Sequence, residues 1–563
     1  MNLKTALEYY DSIAVFWYNY SMKNYSNINN YTNEDYTVFQ EILPLNCSVV
    51  LPKDHKLYSF MELMKGVDFN KYIKKRTDPR GRKGYDKKRL FLVLLYAFYD
   101  KGGKASYSEI EQACVDCIPY RILMNEETPD RYTFCRFVND YLVDEIDQIF
   151  FDIVGQLTAK MPITRETQYI DGTKFEANAN KYTGVYKKRI MTNMGKMFDK
   201  MNEGCMKELQ KRFHFYAIKE TYCAQEIGYI CQYLMEQMCE LGIEFVYGRG
   251  HKKSELQKLY DTFVKCYQRQ LEYEMWLYII GERNNCSKTD HDATFCALKV
   301  DFYCKTGLSR PAYNAQIAIS DGVIVNAELY PNPGDTLTFP LFIERYHQFT
   351  GQYPENPMAD AGYGSVKNYL YCLTHKMNLV MKYGLYARKN TAKFKKKKFN
   401  PANWQYNSDG FKVCPNGNVF DVYLRDSHNN DYNIRQLYTN KERCKGCPFR
   451  KECLCTKKKP VPDDKAYKTI SLNVVREQLE QEVDKNLGTN FGKELKKQRS
   501  IQVEGAFGVI KQDMGFTRFK RRGKKKTHFE FLMICIAYNL RKYHRYWLEQ
   551  QKKETIDSLV LLN

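Results

Sequence analysis

Acidic residues are in short supply in this chain. Its 563 residues set 66 aspartates and glutamates against 87 lysines and arginines, a net charge of +21. That balance points to a polyanionic partner, and nucleic acid is the leading one. Long hydrophobic runs are missing too. The most apolar segment, residues 529–540, is too short to cross a bilayer and reads as a buried helix, so no membrane partner is expected. No N-terminal stretch joins a basic start, an apolar run and a small-residue cleavage site, so no signal peptide is expected either. The 19 cysteines form no compact framework. This argues against a disulfide scaffold and for reduced thiols in a cytosol.

What is present is enough apolar residue, 44%, for several cores, and three acids in telling contexts. In TQYIDGTKFEANANKY (residues 167–182) a buried strand ends at Asp171-Gly172, placing a carboxylate where the strand opens onto a turn. Alone, that pair reads as an ordinary strand-ending turn. In PMADAGYGS (357–365) a second short strand delivers Asp360 into a glycine-rich turn. In RSIQVEGAFGVIKQD (499–513) Val503, Phe507, Ile510 and Met514 follow helical spacing, and beside them Glu504, Gly508 and Lys511 form a second stripe. Seven residues is close to two turns, so Glu504 and Lys511 are predicted to share a face. Two acids at strand ends and one on a late helix form the layout that holds two divalent ions ~4 Å apart. Hard oxygen ligands suit Mg2+ or Mn2+.

Several motifs in this order resemble a known family, the prokaryotic insertion-sequence transposases of the DDE class. The resemblance rests on YIDGTKFEANANKY around Asp171, PAYNAQIAISDG (311–322), MADAGYGS around Asp360 and VEGAFGVIK around Glu504, with the helical segment that precedes them. It implies a multidomain α+β protein. An InsH-type helical domain would precede a ribonuclease-H-like α/β core, itself interrupted by a helical insertion and a Cys-containing β-rich insertion. The implied boundaries are an arm at 1–45, the helical domain at 46–160, and a core from 161–184, 286–390 and 495–550. The insertions would occupy 185–285 and 391–494. It also implies cleavage at terminal inverted repeats and joining of the 3′ ends to target DNA, with Asp171, Asp360 and Glu504 holding two metal ions. A homodimer in the active complex and a cytoplasmic, nucleoid-associated location follow from the same resemblance. Relatives often carry Tyr and Arg seven and four residues before the catalytic Glu and Lys seven after it. Here Lys511 fits, while Lys497 and Ser500 do not, and Arg499 stands one residue from the Arg position. The competing classes are a non-catalytic DNA-binding derivative and a nuclease that cuts without joining.

The rest of the chain falls into order around these acids. Residues 1–45 are Asn- and Tyr-rich and read as a loose arm. Arg80, Arg82, Lys83, Lys87, Lys88 and Arg89 lead into a buried helix over LFLVLLYAFYDKG, a second helix follows with Ile110, Ala113 and Cys114 inside, and Thr128 or Asp130 is predicted to cap a third. A basic-edged bundle of short helices suits groove reading. Two helical stripes follow, Met191, Met194, Phe198, Met201 and Leu209, then Leu256, Leu259, Phe263, Tyr267, Leu271 and Met275, all read as core. The GRGHKK turn at Gly248 reads as a solvated loop. Asp290, His291 and Asp292 suggest a metal less than helix capping, because adjacent residues point apart. Asp321-Gly322 signals a hairpin, Asp335 is predicted to cap the helix after it, and NLVMK (378–382) to form a strand.

Lys and Arg at 388, 389, 393 and 395–398 form a basic linker into the second insertion. There Cys414, Cys444, Cys447 and Cys453, with Cys455 as a substitute for the last, have the makings of a structural Zn2+ site, with ordinary thiols as the alternative. The 143 residues between Asp360 and Glu504 exceed what a strand-to-helix link needs. Finally, seven of the nine residues 518–526 are basic. Arg518, Lys520, Arg521, Arg522, Lys524, Lys525 and Lys526 are predicted, with Arg499 and Lys511, to meet DNA.

Overall fold

The computed structural model describes residues 51–72, 84–206, 209–211, 218–248, 250–299, 301, 304–428, 434–454 and 467–560. The expected arm at 1–45, Arg80, Arg82, Lys83, part of the GRGHKK turn and Cys455 lie outside them. The chain divides into two units, Met1–Tyr58 and Ser59–Asn563. In the first, the described residues are a turn, closed by the His55 N–H on the Pro52 carbonyl at 2.8 Å, and the start of helix α1 (Lys56–Lys65).

The second unit begins with helices whose ends the sequence marks. In α2 (Lys87–Lys101) every residue from Leu90 to Tyr99 is buried, and Asp86 caps its start by accepting the Lys88 and Arg89 amides. A reciprocal Ser106/Glu109 capping box opens α3 (Tyr107–Asp116), where each side chain satisfies an amide the helix leaves unpaired. Then come α4 (Ile118–Met124) and α5 (Arg131–Phe137), the latter capped by Asp130 on the Thr133 amide at 2.7 Å. Phe134 and Phe137 are buried, whereas Tyr132 is 63% exposed. A π turn (Val138–Leu142) leads on to α6 (Ile146–Lys160).

The central sheet is built on β1 (Thr167–Glu176). Two three-residue strands, β2 (Gly184–Tyr186) and β3 (Asn285–Ser287), pair antiparallel and bracket a helical excursion of α7 (Lys187–Lys200), α8 (Ala224–Glu240) and α9 (Glu255–Ile280). Those helices bury their own cluster, including Phe198, Met201, Leu209, Leu256 and Phe263. Met191, Leu271 and Met275, expected inside, are instead exposed, and Met197, Cys266 and Trp276 are buried. The apolar stripe was broader than the face that α8 covers.

Back in the sheet, β4 (Thr294–Cys296) and β6 (Val323–Tyr330) share one edge of β5 (Arg310–Ser320), and β1 lies on its other edge. The β5–β6 hairpin turns at Asp321 and Gly322, with φ of +48° and +82°, the left-handed pair that a tight hairpin demands. After α10 (Phe339–Thr350), β7 (Asn356–Ala359) adds to β1 in parallel, and α11 (Val366–Thr374) follows. Leu379, Val380 and Met381 are buried, but residues 378–382 form no strand. They meet the sheet side through the Asn378 and Lys382 amides, on the Glu355 and Ala359 carbonyls, and through the Asn378 side chain on Asn356.

The next region carries small sheets, β8 (Gln405–Tyr406) with β9 (Lys412–Val413), and β10 (Val422–His428), β11 (Ile434–Thr439) and β12 (Thr469–Leu472) in that order. Helices α12 (Val474–Gly488) and α13 (Asn490–Arg499) return the chain to the sheet. A π turn (Ser500–Glu504), a helical turn (Gly505–Gly508), a second π turn (Val509–Asp513) and the long α14 (Lys524–Val560) complete the fold. Asn539 of α14 exchanges hydrogen bonds of 2.8 Å with both backbone groups of Ile324 on β6. Arg345 of α10 ties Asp147 of α6 to Glu328 of β6, and His528 of α14 meets the same two acids. The architecture is thus mixed α+β. Among the described residues no helix is long and apolar enough to cross a membrane.

Candidate active site

The parallel pairing of β1 with β7 runs as far as Ile170 opposite Ala359. Asp360 therefore follows the last residue of β7 and lies beside Asp171, but Asp171 does not end its strand as predicted: pairing with β5 carries β1 past Gly172 to Glu176, so the carboxylate lies within the strand. Asp171 accepts the Gly172 amide at 2.8 Å, and Asp360 accepts the Gly362 amide at 2.7 Å. Burial holds the Asp171 carboxyl above the usual range; the nearby charge of Asp360 adds to this and the Arg499 guanidinium opposes it. Arg499, at the end of α13, reaches Asp171 Oδ2 at 3.2 Å and is 8% exposed, with its Nε unpaired. Lys382 stands on the Asp360 side, and burial, then Arg499 and Lys496, push its ammonium down.

A third carboxylate joins the strand-borne pair, and it is Asp335. Its backbone carbonyl receives the Thr338 amide, but its side chain does not cap α10 as predicted. Instead Oδ1 accepts 2.8 Å hydrogen bonds from Asn314 and Gln316 of β5. A methyl group added at Gly172 would meet Asp335 Oδ1 at 2.9 Å, and one added at Gly362 would lie 3.0 Å from Asp360 Oδ1 and 3.5 Å from Asp335 Oδ2. The two glycines make room for the carboxylates. Behind them the Tyr363 hydroxyl donates to Gln316 Oε1. Burial, then Asp335, Asp171 and Asp360, push that phenol far up. Sequence reading missed Asp335 and Lys382 as site residues, because a turn aspartate and a lysine after a short apolar run carry no signal of their own.

The helix-borne half is different. Glu504 is exposed and takes part in no hydrogen bond or ion pair among the described residues, although the same turn is anchored by buried Val503 and by Gln502 accepting the Gly322 amide. Lys511 donates to Thr173 Oγ1 at 2.6 Å, and its Nζ lies 4.9 Å from the Phe175 ring centre. Burial, then Lys299, lowers its pKa to about 8. The second π turn begins between Glu504 and Lys511, so the seven-residue α-helical spacing does not keep them in line. Among the described residues no three His, Cys, Asp or Glu side chains already stand as a metal-ligand set.

Much of the basic run is tied to the protein itself. Arg518 lies 3.7 Å from Glu176, and Lys520 donates to the Ala105 carbonyl. Arg521 donates to the Tyr107 hydroxyl and stacks near Phe529. Arg522 reaches the Asn178 carbonyl at 2.7 Å. Lys524 approaches Glu328 at 3.8 Å, and Lys525 pairs with Asp144 at 2.9 Å. Lys526 is exposed. Asp290 and Asp292 receive the Gly523 and Lys524 amides. The predicted capping role is real, for a helix more than two hundred residues away.

The four cysteines line one small cavity with Phe399, Trp404, Phe420 and Phe449. Cys444 and Cys447 flank a turn in which Gly446 has φ +87°, and Cys414 opens a turn with Gly417 at φ +77°, angles that a side-chain-bearing residue would strain to hold. Burial pushes the Cys444 and Cys453 thiols up, and both feel the charge of the other cluster thiols.

Two family models match the chain. One, described as a transposase DDE domain, covers residues 413–544, taking in the four cysteines, Arg499, Glu504, Lys511 and the basic run. The other, described as a transposase domain (DUF772), covers residues 46–140, the N-terminal helices. Asp171 and Asp360 lie outside both stretches. No curated protein and no solved structure matches the chain. The two transposase-domain matches, one towards each end of the chain, support its reading as an insertion-sequence transposase of the DDE class.

Proposed function

We propose that this transposase cuts at the terminal inverted repeats of its element and joins the freed 3′ ends to target DNA, using Asp171, Asp360 and Glu504 on a ribonuclease-H-like core. The observation that carries this reading is the adjacency of Asp171 within β1 and Asp360 just past the end of β7, two hard oxygen donors of which Asp171 is held up by burial and, against Arg499, by the charge of Asp360. Such a pair fits a divalent cation such as Mg2+. The unpartnered carboxylate of Glu504 is the remaining donor on the same side of the chain order. Bound metal would activate the attacking oxygen and stabilise the leaving one.

The protein's own residues do the positioning. The β1–β7 ladder fixes both aspartates, and Gly172 and Gly362 keep the space beside them clear of side chains. Arg499 neutralises Asp171 until another cation does so, and Lys511, charged at neutral pH, offers its ammonium to a phosphate oxygen. No protein nucleophile is required. The test compares binding, nicking and joining on one labelled element end with Mg2+ and with Mn2+. Asp171→Asn, Asp360→Asn and Glu504→Gln should each lose on the order of a thousandfold in both chemical steps while still binding the end. Glu504→Gln cutting at the wild-type rate would require another third acid. Cutting without joining of pre-cleaved ends would make the protein a nuclease.

The cysteine cavity supports a second assignment. Four thiols around one space, two of them spanning a Cys-x-Gly-Cys turn, fit a soft tetrahedral ion, and we propose that they hold a structural Zn2+. Purified protein should then carry about one equivalent, and Cys447→Ser should lose both the metal and the protease resistance of residues 399–472. Metal-free protein with equal resistance would leave the cysteines as ordinary core.

A further inference from the structure

Helices α7 and α9 enclose an open groove of about 850 Å³, remote in sequence from every basic residue considered so far. Its floor is apolar, formed by Met197, Met201 and Cys266, all part of the buried cluster of the helical excursion. Its walls carry Lys196 and Lys200 from α7 and Lys265 and Arg269 from α9. All four are exposed, and none makes an ion pair or hydrogen bond among the described residues. The acids of α9 are engaged elsewhere. Asp261 pairs with Lys253 at 2.6 Å, Glu274 accepts the Ala224 amide and the Gln270 side chain, and Glu272, the one acid on the groove wall, accepts from Trp276 at 3.4 Å.

Each helix therefore places two cations four residues apart, about 6 Å along its axis, facing two more across the groove. Like charges at that spacing disfavour a helix. The basic run behaves in the opposite way, with six of its seven side chains engaged by carboxylates, carbonyls or a hydroxyl of the protein. A groove that leaves four cations unmatched is built for an anion that brings several charges at regular spacing. The neutral side chains of Asn193 and Gln268 on the same walls supply further donors to phosphate oxygens. The groove is also anchored near the chemistry. α7 starts directly after β2 and α9 ends five residues before β3, and this strand pair follows closely on β1, the strand of Asp171.

We infer that the α7–α9 groove is a second DNA-backbone site, holding the phosphates of a duplex through Lys196, Lys200, Lys265 and Arg269 without reading its bases. This rests on the proposed action on DNA, and the experiment separates the two. Affinity of the full-length protein is measured against salt for two labelled duplexes, one carrying an element end and one of unrelated sequence. In the variant with Lys196→Gln, Lys200→Gln, Lys265→Gln and Arg269→Gln, affinity for both duplexes should fall at least about tenfold at ~0.1 M salt. The slope of log affinity on log salt should shrink by about two to four, close to one unit per lost phosphate contact. A control replacing the exposed Lys65, Lys376, Lys552 and Lys553 by Gln should change affinity less than about threefold.

If the groove variant keeps the wild-type slope while the protein still binds and cuts element ends, the groove inference fails and the transposition reading stands. If wild-type protein binds neither duplex, both fail. Should the variant not fold, acetylation of the wild-type protein gives the answer. Bound duplex should shield Lys196, Lys200 and Lys265 from the reagent, and equal labelling with and without DNA would overturn the site.

Discussion

The two halves of the candidate active site are held in contrasting ways. Asp171 lies within β1, Asp360 just past the end of β7 and Asp335 on a turn, held by ladder pairing and by amide donors at 2.7–2.8 Å. Glu504 stands exposed at the end of the first of two π turns, on a helix that approaches the sheet through Gln502 and Val503. Strand pairing sets a carboxylate's position through many hydrogen bonds at once, whereas an interrupted helix leaves its side chain free to take a position when a ligand arrives. π turns inside helices are frequent at functional sites for that reason. The contrast teaches that, on the proposed reading, the sheet half is prebuilt while the helix half would be completed on binding.

The largest expected effect that would test this lies at Asp335. Asp335→Asn keeps an acceptor for Asn314 and Gln316 but removes the charge beside Asp360, and it should slow cleavage about ten- to a hundredfold with end binding intact. Asp335→Ala should also destabilise the fold by about 1–3 kcal/mol, since it leaves two buried amide donors unpaired. Wild-type cleavage by Asp335→Asn would confine this residue to scaffolding.

A smaller effect should appear with pH at Lys511. Its folded pKa of about 8 lies below the ordinary lysine value. The folded state therefore releases this proton first, and unfolding free energy rises with pH between about 8 and about 10.4. The cost of the buried cation is present at neutral pH and fades above pH 8. A phosphate that Lys511 holds should accordingly be lost on the same rise. End affinity should fall by up to about eightfold between pH 7 and pH 9 at ~0.1 M salt, while Lys511→Arg, charged throughout, should give a flat profile. Superimposable profiles would place Lys511 outside the DNA contact.

Smallest of all is the difference in stability between the halves. Asp171 carries its charge against burial and Asp360 but is the carboxylate partner of the buried Arg499, so Asp171→Asn should lower Tm by about 1–2 °C by leaving that guanidinium unpaired. Glu504→Gln, exposed and unpartnered, should leave it unchanged. A matching drop in both would mean that Glu504 is as firmly built in as the aspartates.

How much of this could be read from residue order depends on the range of the force involved. Local signals survived. Asp130 caps its helix, Asp321-Gly322 turns its hairpin and Asp360 ends its strand, because capping, turn geometry and strand alternation are settled within a few residues; Asp171 does not end its strand, since the distant partner β5 carries β1 on to Glu176. Partners far apart in sequence were not legible. Nothing local says that Asp335 turns to the sheet in place of its own helix, or that Arg499 folds back on Asp171 across more than three hundred residues. Nor does a dense basic run announce that Glu530, Asp144, Glu328 and Tyr107 will hold it from the inside. The helical stripes misled in one respect. Periodicity marks a hydrophobic face, but the width of that face that is covered depends on which helix arrives, so Met191 and Met275 stayed outside.

The β2–β3 clip has a consequence for how this chain tolerates change. Three residues on each side pin the two ends of a stretch of nearly a hundred residues, so the sheet experiences that stretch only as a closed loop. The entropy of closing a loop grows with the logarithm of its length, roughly 0.6 kcal/mol for each doubling. Helices can therefore be lengthened, shortened or exchanged beyond the clip at little cost to Asp171, which makes the helical arm the part of the molecule freest to diverge while the paired aspartates stay in register.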